Sequence, residues 1–339
     1  MTLLVTGGAG FIGSHFLRVM RESYPTLRLV CLDKLTYAGR REAIEPLFAD
    51  SRFRFVKGDI CDGETVFSLF DEERPDAVVH FAAESHVDRS IEDPALFLRT
   101  NVLGTGVLLD AAHAFGVRRF HQVSTDEVYG DLPLQGKVSP FTESAPLRPS
   151  SPYAASKASA DLLALSYFRT YGLPVTVSRC SNNYGPWQYP EKLIPTAIAH
   201  ALRNEPVPLY GSGENMRDWL WVEDHCRAID LILQKGRVGE VYNIGAGCER
   251  SNRALVGEIL SLLGRSRDAI LHVPDRRGHD LRYALNADKL MRETGWRPQV
   301  PFAQGLAETV EWYRRHPEHL RTLRGGKHLD VSEAGGLRG

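Results

Sequence analysis

The sequence predicts an α/β protein, a doubly wound parallel sheet joined to a smaller C-terminal α/β lobe. Short, continuous apolar and β-branched runs recur at residues 3–6, 29–32, 53–56, 77–81, 120–123 and 175–178, as strands buried on both faces of a parallel sheet require. Helical patterns stand between them at 14–23, 101–115 and 153–171, and such alternation marks βαβ units. Beyond Arg179 the rhythm changes. Pro186, Pro190, Pro195, Pro206 and Pro208 interrupt the chain, and helices are predicted near 193–204, 223–235, 251–263 and 303–315.

On this reading residues 1–179 form the first lobe, with segments near 219–247 returning to it, and 180–322 form the second. Residues 131–152 hold five prolines and read as a long loop. The glycine-rich end, 323–339, is expected to be a flexible tail. A chain of 339 residues is near the upper end of what one core supports, which also favours two lobes.

The net charge of −1, with no basic block, argues against nucleic acid or an anionic membrane as partner, so any phosphate must be held by local groups. The five cysteines are scattered without C-x-x-C spacing. That pattern argues against a disulfide framework and a zinc site, and no metal is expected. The chain opens on the strand-like Leu3-Leu4-Val5 without a basic leader. No apolar stretch is expected to approach the roughly 20 residues needed to span a bilayer. The expectation is a soluble cytoplasmic protein.

Gly7, Gly10 and Gly13 follow the first strand and open the first helix. Glycine permits the tight turn and close approach of backbone to a pyrophosphate, and the helix N-terminus offers N–H groups to the phosphates. Asp33 ends the second strand, 20 residues beyond Gly13. There a carboxylate can bind ribose hydroxyls and repel a 2′-phosphate, so the cofactor is predicted to be NAD, on a Rossmann-type sheet. Asp59 and Ile60, at the end of the third strand, are natural neighbours for adenine.

Tyr153 and Lys157 are spaced i, i+4 at the start of a predicted helix, on one face. An ammonium and a positive nicotinamide ring near a phenol would favour the phenolate and make it a competent base. This pair, roughly 140 residues after the glycine turn and preceded by Ser124-Thr125, resembles the active-site set of the short-chain dehydrogenase/reductase superfamily. The adjacent carboxyls of Asp126 and Glu127 are costly at the mouth of a cofactor site unless they work as an acid and a base. Dehydration supplies that need: oxidation at C4 of a sugar acidifies the C5 proton, and the C6 hydroxyl needs a proton to leave. Arg217 and Lys192 are local cations for a diphosphate.

The runs Ser124–Gly130, 82–90, 33–39, 180–186, 190–195, 217–220 and 275–280 together are similar to the dTDP-glucose 4,6-dehydratase family, from residue 2 to about 315. The resemblance implies that Tyr153 is the base at the C4 hydroxyl, supported by Lys157 and Thr125, with Asp126 the acid at C6 and Glu127 the base at C5. It implies that Phe11, Ile12, Asp33, Lys34, Leu35, Thr36, Asp59, Ile60, Phe81, Ala82, Ala83, Glu84, Ser85, Thr100 and Asn183 line NAD. It further implies that His86, Asn182, Lys192, Leu193, Pro208, Leu209, Tyr210, Arg217, Asn252, Asp275, Arg276, Arg277, Gly278 and His279 meet the nucleotide sugar, as does Thr125. Two departures from the family pattern, Arg277 and Ala246, fall near the expected nucleotide end.

The leading reading is conversion of dTDP-glucose to its 4-keto-6-deoxy derivative in deoxysugar biosynthesis. A UDP-sugar dehydratase or 4-epimerase on the same fold is the alternative, and a non-catalytic NAD-binding protein a third. The runs 101–115 and 154–171 carry Val102, Leu108, Leu109, Leu162, Leu163, Leu165 and Phe168 over more than one helix face, which predicts a partner. The resemblance implies a homodimer joined through a four-helix bundle.

Overall fold

The computed structural model describes residues 1–135, 138–275 and 278–321. The predicted tail at 323–339 and the candidate residues Arg276 and Arg277 lie outside the described residues.

The chain runs β1 (Thr2–Thr6), α1 (Phe11–Ser23), β2 (Arg28–Asp33), β3 (Phe53–Lys57), α2 (Gly63–Glu73), β4 (Ala77–His80), α3 (Val87–Glu92) and α4 (Pro94–Phe97). A π-helical turn, Leu98–Gly104, leads into α5 (Thr105–Ala114), then β5 (Arg119–Thr125), α6 (Pro152–Tyr171), β6 (Val175–Cys180) and β7 (Asn182–Tyr184). There follow α7 (Leu193–Leu202), β8 (Val207–Tyr210), β9 (Met216–Trp221), α8 (Val222–Lys235), β10 (Val241–Ile244) and β11 (Glu249–Ser251). The last elements are α9 (Asn252–Leu262), β12 (Ile270–Val273), α10 (Asp288–Thr294) and α11 (Phe302–Arg315), closed by a 3-10 turn at Pro317–Leu320.

Seven parallel strands form the main sheet in the order β10-β6-β5-β4-β1-β2-β3. Every apolar run expected as a strand lies in it, and all are buried from both sides except the edge strand β3, where only Phe53 is buried. Leu3, Val5, Leu29 and Cys31 face α1 and α8, whereas Leu4, Val30, Leu32 and Val78 face α2, α5 and α6. Register sets Thr6 beside Leu32 and His80, and Thr125 beside Cys180. The carboxyl ends of β1, β2, β4, β5 and β6 therefore open on one edge, and strand order reverses between β1 and β4, where a crevice forms.

A second core gathers Ile194, Ile198, Leu209, Trp219, Leu255, Ile259 and Leu306 between α7, α9, α11 and the small sheets β11-β9-β7 and β12-β8. Residues after 219 do return to the main sheet, since α8 packs on α1 and β10 pairs with β6. The 131–150 stretch holds only an isolated bridge, Phe141 to Leu285, among its described residues, and is pinned by Leu132 N–H to Arg282 O and Phe141 N–H to Ala284 O.

Two expectations need correction. The continuous helical run Pro94–Ala114 is, by length and composition, apolar enough to cross a membrane. In this stretch the sequence predicts a helix over 101–115 alone, whereas the helical run begins seven residues earlier, at Pro94. In the fold Leu108, Leu109, Ala111 and Ala112 are buried under the sheet. Nor is the surplus apolar surface where it was expected. Leu108 and Leu109 are core residues, and Leu163, Leu165 and Phe168 pack against the same core. Of the residues named, only Leu162 is largely exposed, joined by Leu98, Leu103 and Tyr171.

Candidate active site

Two adjoining cavities open at the carboxyl edge of the sheet. The first, about 320 Å³, is walled by the glycine turn. Gly7 has φ +71°, and a methyl there would lie 2.5 Å from Ala82 N; one at Gly13 would lie 2.3 Å from Gly7 O. Only glycine lets the turn, the first helix and β4 close this tightly. Asp33, buried by the fold, accepts from Ala9 N–H at 2.9 Å and Leu35 N–H at 2.8 Å. Its carboxylate thus holds the turn while bordering the cavity, and burial raises its pKa. Lys34 and Asp59 pair at 2.7 Å on the rim.

Gly10, Phe11, Ile12, Thr36, Ile60, Phe81, Ala82, Ala83, Glu84, Ser85, Thr100 and Asn183 complete the expected lining. Leu35 is the exception. It adopts φ +54° and its side chain packs against the sheet core instead. Asn101, absent from the sequence reading, holds this wall in place. Its side chain accepts from Glu84 N–H at 2.8 Å, donates to Glu84 O at 3.0 Å, and donates to Ser156 Oγ at 2.8 Å. The π-helical turn presents it, with Thr105 Oγ1 donating to Asn101 O at 2.6 Å.

The second cavity, about 480 Å³, is within the range that holds a small ligand. His86, Asn182, Lys192, Leu193, Pro208, Leu209, Tyr210, Arg217, Asn252 and His279 line it. Asp275 and Gly278 do not; Asp275 instead pairs with His279 Nδ1 at 2.6 Å. Arg217 is held by three carbonyls, with Nη1 2.7 Å from Met216 O and Nη2 2.9 Å from Asp280 O, and its guanidinium lies 4.3 Å over the Tyr283 ring. Lys192 Nζ donates to Ser85 O at 3.0 Å. Buried acceptors Asn182 Oδ1 and Asn252 Oδ1 have no hydrogen-bond partner among the described residues. Arg89, Gln188, Tyr189, Glu191, Trp219 and Tyr283 also line this cavity and were not singled out. For Arg89, Glu191 and Trp219 the signal was available, inside the matching runs; for Gln188, Tyr189 and Tyr283 only the folded contacts reveal it.

Glu127, Asn182 and Lys192 border both cavities, so the acidic pair stands where the two meet. β5 delivers it: Thr125 caps a 3-10 turn, Asp126–Tyr129, accepting from Glu127 N–H at 3.3 Å. Asp126 is 2 % exposed, and its Oδ2 has no hydrogen-bond partner among the described residues. Burial first, and the neighbouring Glu127 second, push its pKa well above the usual carboxylate range, favouring the protonated acid.

Tyr153 and Lys157 project from the first turns of α6, which Ser151 caps through Ala154 N–H at 3.1 Å and Gly172 ends at φ +70°. Lys157 Nζ donates to Val123 O at 2.7 Å, and burial lowers its pKa. Burial, Glu127 and Cys180 raise Tyr153 well above a free phenol. The contribution that lowers it comes from the Thr125 hydroxyl, where the sequence had suggested Lys157.

A parallel sheet reversing between β1 and β4, a glycine turn, and a Thr–Tyr–Lys set beside it define a dinucleotide-dependent enzyme of the short-chain dehydrogenase/reductase type. Residues 4–309 match the family described as GDP-mannose 4,6 dehydratase. A dTDP-glucose 4,6-dehydratase of Streptomyces niveus is 52% identical over 318 residues, 93% of each chain. The crystal structure of a dTDP-glucose 4,6-dehydratase from Streptomyces venezuelae, with NAD bound, superposes at a TM-score of 0.90 with 53% identity, over 94% of this chain and 98% of that one. A UDP-glucose 4-epimerase from Thermotoga maritima superposes at 0.86 with 34% identity, over 94% of this chain and 100% of that one. The shared fold does not decide between the two reactions. The chain belongs to the dTDP-glucose 4,6-dehydratase family.

Proposed function

We propose that this chain converts dTDP-glucose into dTDP-4-keto-6-deoxyglucose and water in deoxysugar biosynthesis, with NAD held throughout and regenerated. The observation that carries the reading is the Asp126–Glu127 pair. One carboxyl is buried and biased toward its protonated form, and the other borders both cavities. The dinucleotide cavity fits NAD because side chains at Gly7 and Gly13 would fill the cradle. Lys34, the cation next to Asp33, is engaged by Asp59.

Held in the cavity walled by Gly7, Gly13 and Asp33, NAD would supply hydride chemistry, a two-electron acceptor able to return what it takes, and its positive charge would favour the Tyr153 phenolate. Tyr153 takes the proton of the C4 hydroxyl, with Thr125 supporting the phenolate and Lys157 anchored on the Val123 carbonyl. The resulting ketone acidifies C5, and Glu127 removes that proton. Asp126 gives its proton to the C6 hydroxyl, which leaves as water. Arg217, fastened by carbonyls that leave its charge uncompensated, and Lys192 hold the diphosphate.

Replacing single groups separates these steps. Glu127→Gln and Asp126→Asn should lose about 10²–10⁴-fold in product formation, the usual worth of general acid–base help. Both should still reduce bound NAD in a single turnover with dTDP-glucose. Tyr153→Phe should give neither product nor reduced cofactor. A Tyr153→Phe protein that reduces the cofactor while Glu127→Gln cannot would overturn the assignment, and faster turnover of UDP-glucose than dTDP-glucose would overturn the substrate. We also infer a cytoplasmic homodimer. The exposed Leu98, Leu103, Leu162 and Tyr171 on the π turn and α6 support a bundle with the same helices of a second copy.

A further inference from the structure

Arg40 lies outside both cavities, yet it is 9 % exposed and fastened at three points. Its N–H donates to Ala9 O in the glycine turn at 2.8 Å. Its guanidinium donates from Nη1 to His319 Nδ1 and from Nη2 to His319 O, both at 3.0 Å. The same guanidinium lies 5.6 Å from the ring centre of Tyr189, a residue of both cavity walls. Arg40 therefore ties the loop that carries Thr36, Ala38 and Gly39 to the end of the chain.

His319 belongs to the Pro317–Leu320 turn that follows α11. Its ring packs against Trp187, centroids 4.3 Å apart, and against Trp312, stacked at 5.3 Å with 20° between planes, and the two tryptophans are themselves 5.1 Å apart. Trp187 adopts φ +68°, a conformation costly for a bulky residue and kept only where packing demands it. One residue on, Gln188 O accepts from Tyr313 Oη at 2.6 Å, and Gln188 Nε2 donates to Asn183 O at 2.9 Å. Two separate loops of the dinucleotide cavity are thus braced by the same C-terminal turn and the helix before it.

We propose that Arg40 and His319 form a latch that slows NAD release by fixing these two loops. The inference rests on the NAD reading above. Arg40 and His319 are positioning residues; neither borders the cavity where NAD would lie. His316, Glu318 and His319 also bring three ligating atoms within 4.8 Å of one another. Arg40 donates to His319 Nδ1, so the neutral ring carries its proton on Nε2, and the cluster is set for hydrogen bonding in preference to metal ligation.

The test uses the protein as purified, with its bound dinucleotide, and follows release by trapping free NAD with a coupled dehydrogenase. His319→Phe keeps a ring packed on the two tryptophans and removes the acceptor; His319→Asn keeps an acceptor at the position of Nδ1. Release should quicken about tenfold or more in His319→Phe, the worth of one hydrogen bond to a charged group. It should stay near wild type in His319→Asn, and turnover of both variants at saturating NAD should match wild type. Acid should also open the latch in the wild type, because a protonated ring cannot accept from Arg40. The charged and titratable neighbours of His319 are Arg40, His316, Glu318 and Glu42. As pH falls below 6.5 release should quicken in the wild type and much less in His319→Asn, because burial lowers the pKa of the ring. Wild-type release from His319→Phe, or equal quickening in both variants, would overturn the latch. Wild-type protein that neither carries nor binds NAD would overturn the cofactor reading instead.

Discussion

His121 offers a measurable test of how the sheet core is held. It lies on β5, fully buried, with Nδ1 2.9 Å from Thr176 Oγ1 and Nε2 3.0 Å from Ser178 Oγ across the strand pair. Burial first, then His225 and Arg119, lowers its pKa from 6.5 to about 3. The stability it contributes is therefore complete above 6.5 and drains away as pH falls toward about 3, because the unfolded chain takes up the proton first. Between pH 8 and pH 5 the linkage amounts to about 2 kcal/mol for this one residue. Buried carboxyls with raised pKa values, such as Asp33, Asp161 and Asp218, titrate with the opposite sign, so the whole-protein curve mixes the two. A difference isolates the histidine. His121→Gln keeps one hydrogen bond and cannot titrate, so it should be less stable than wild type at pH 8. Urea unfolding followed by circular dichroism at pH 8, 6.5 and 5 should show that gap shrinking by about 2 kcal/mol at the acid end. A gap that does not change with pH would mean the ring is not held neutral, and the reasoning would fail.

Two further outcomes follow from the fold. Gly7→Ala would push a methyl to 2.5 Å from Ala82 N at a φ of +71°, so folded protein should emerge, if at all, without bound NAD and less stable by about 1–3 kcal/mol in thermal unfolding. Leu103→Glu with Leu162→Glu replaces two exposed apolar side chains, 65 % and 59 % accessible, and should convert a dimer to monomers by light scattering while leaving the fold intact by circular dichroism.

The main sheet was legible because strands buried on both faces are largely apolar, as in Leu29–Leu32 and Ala77–Val79. The three-residue strands Asn182–Tyr184 and Glu249–Ser251 carry no such run; they are polar and exist through pairing with β9. At the site, Gly7, Asp33, Asp126 and Tyr153 could be read from spacing because each sits at a strand end or helix start. Asn101 could not, since a lone asparagine in an apolar helical run shows nothing of its grip on the Glu84 backbone. Arg40 and His319 are 279 residues apart, and no local pattern joins them.

The late arrival of β10 bears on how the protein is made. Strand β6 ends at Cys180, and its neighbour on the open side ends at Ile244, so 244 − 180 = 64 residues are synthesised in between, most of the earlier ones belonging to the second lobe. At ordinary translation speeds that interval lasts about 3–13 s. During it the strand Val175–Cys180 is an edge with unpaired N–H and C=O groups, the kind of surface that recruits foreign strands. The nascent first lobe cannot seal itself from its own residues. A ribosome that stalls between these two points leaves a sticky, half-finished sheet, so chaperones have most to protect in this part of the message.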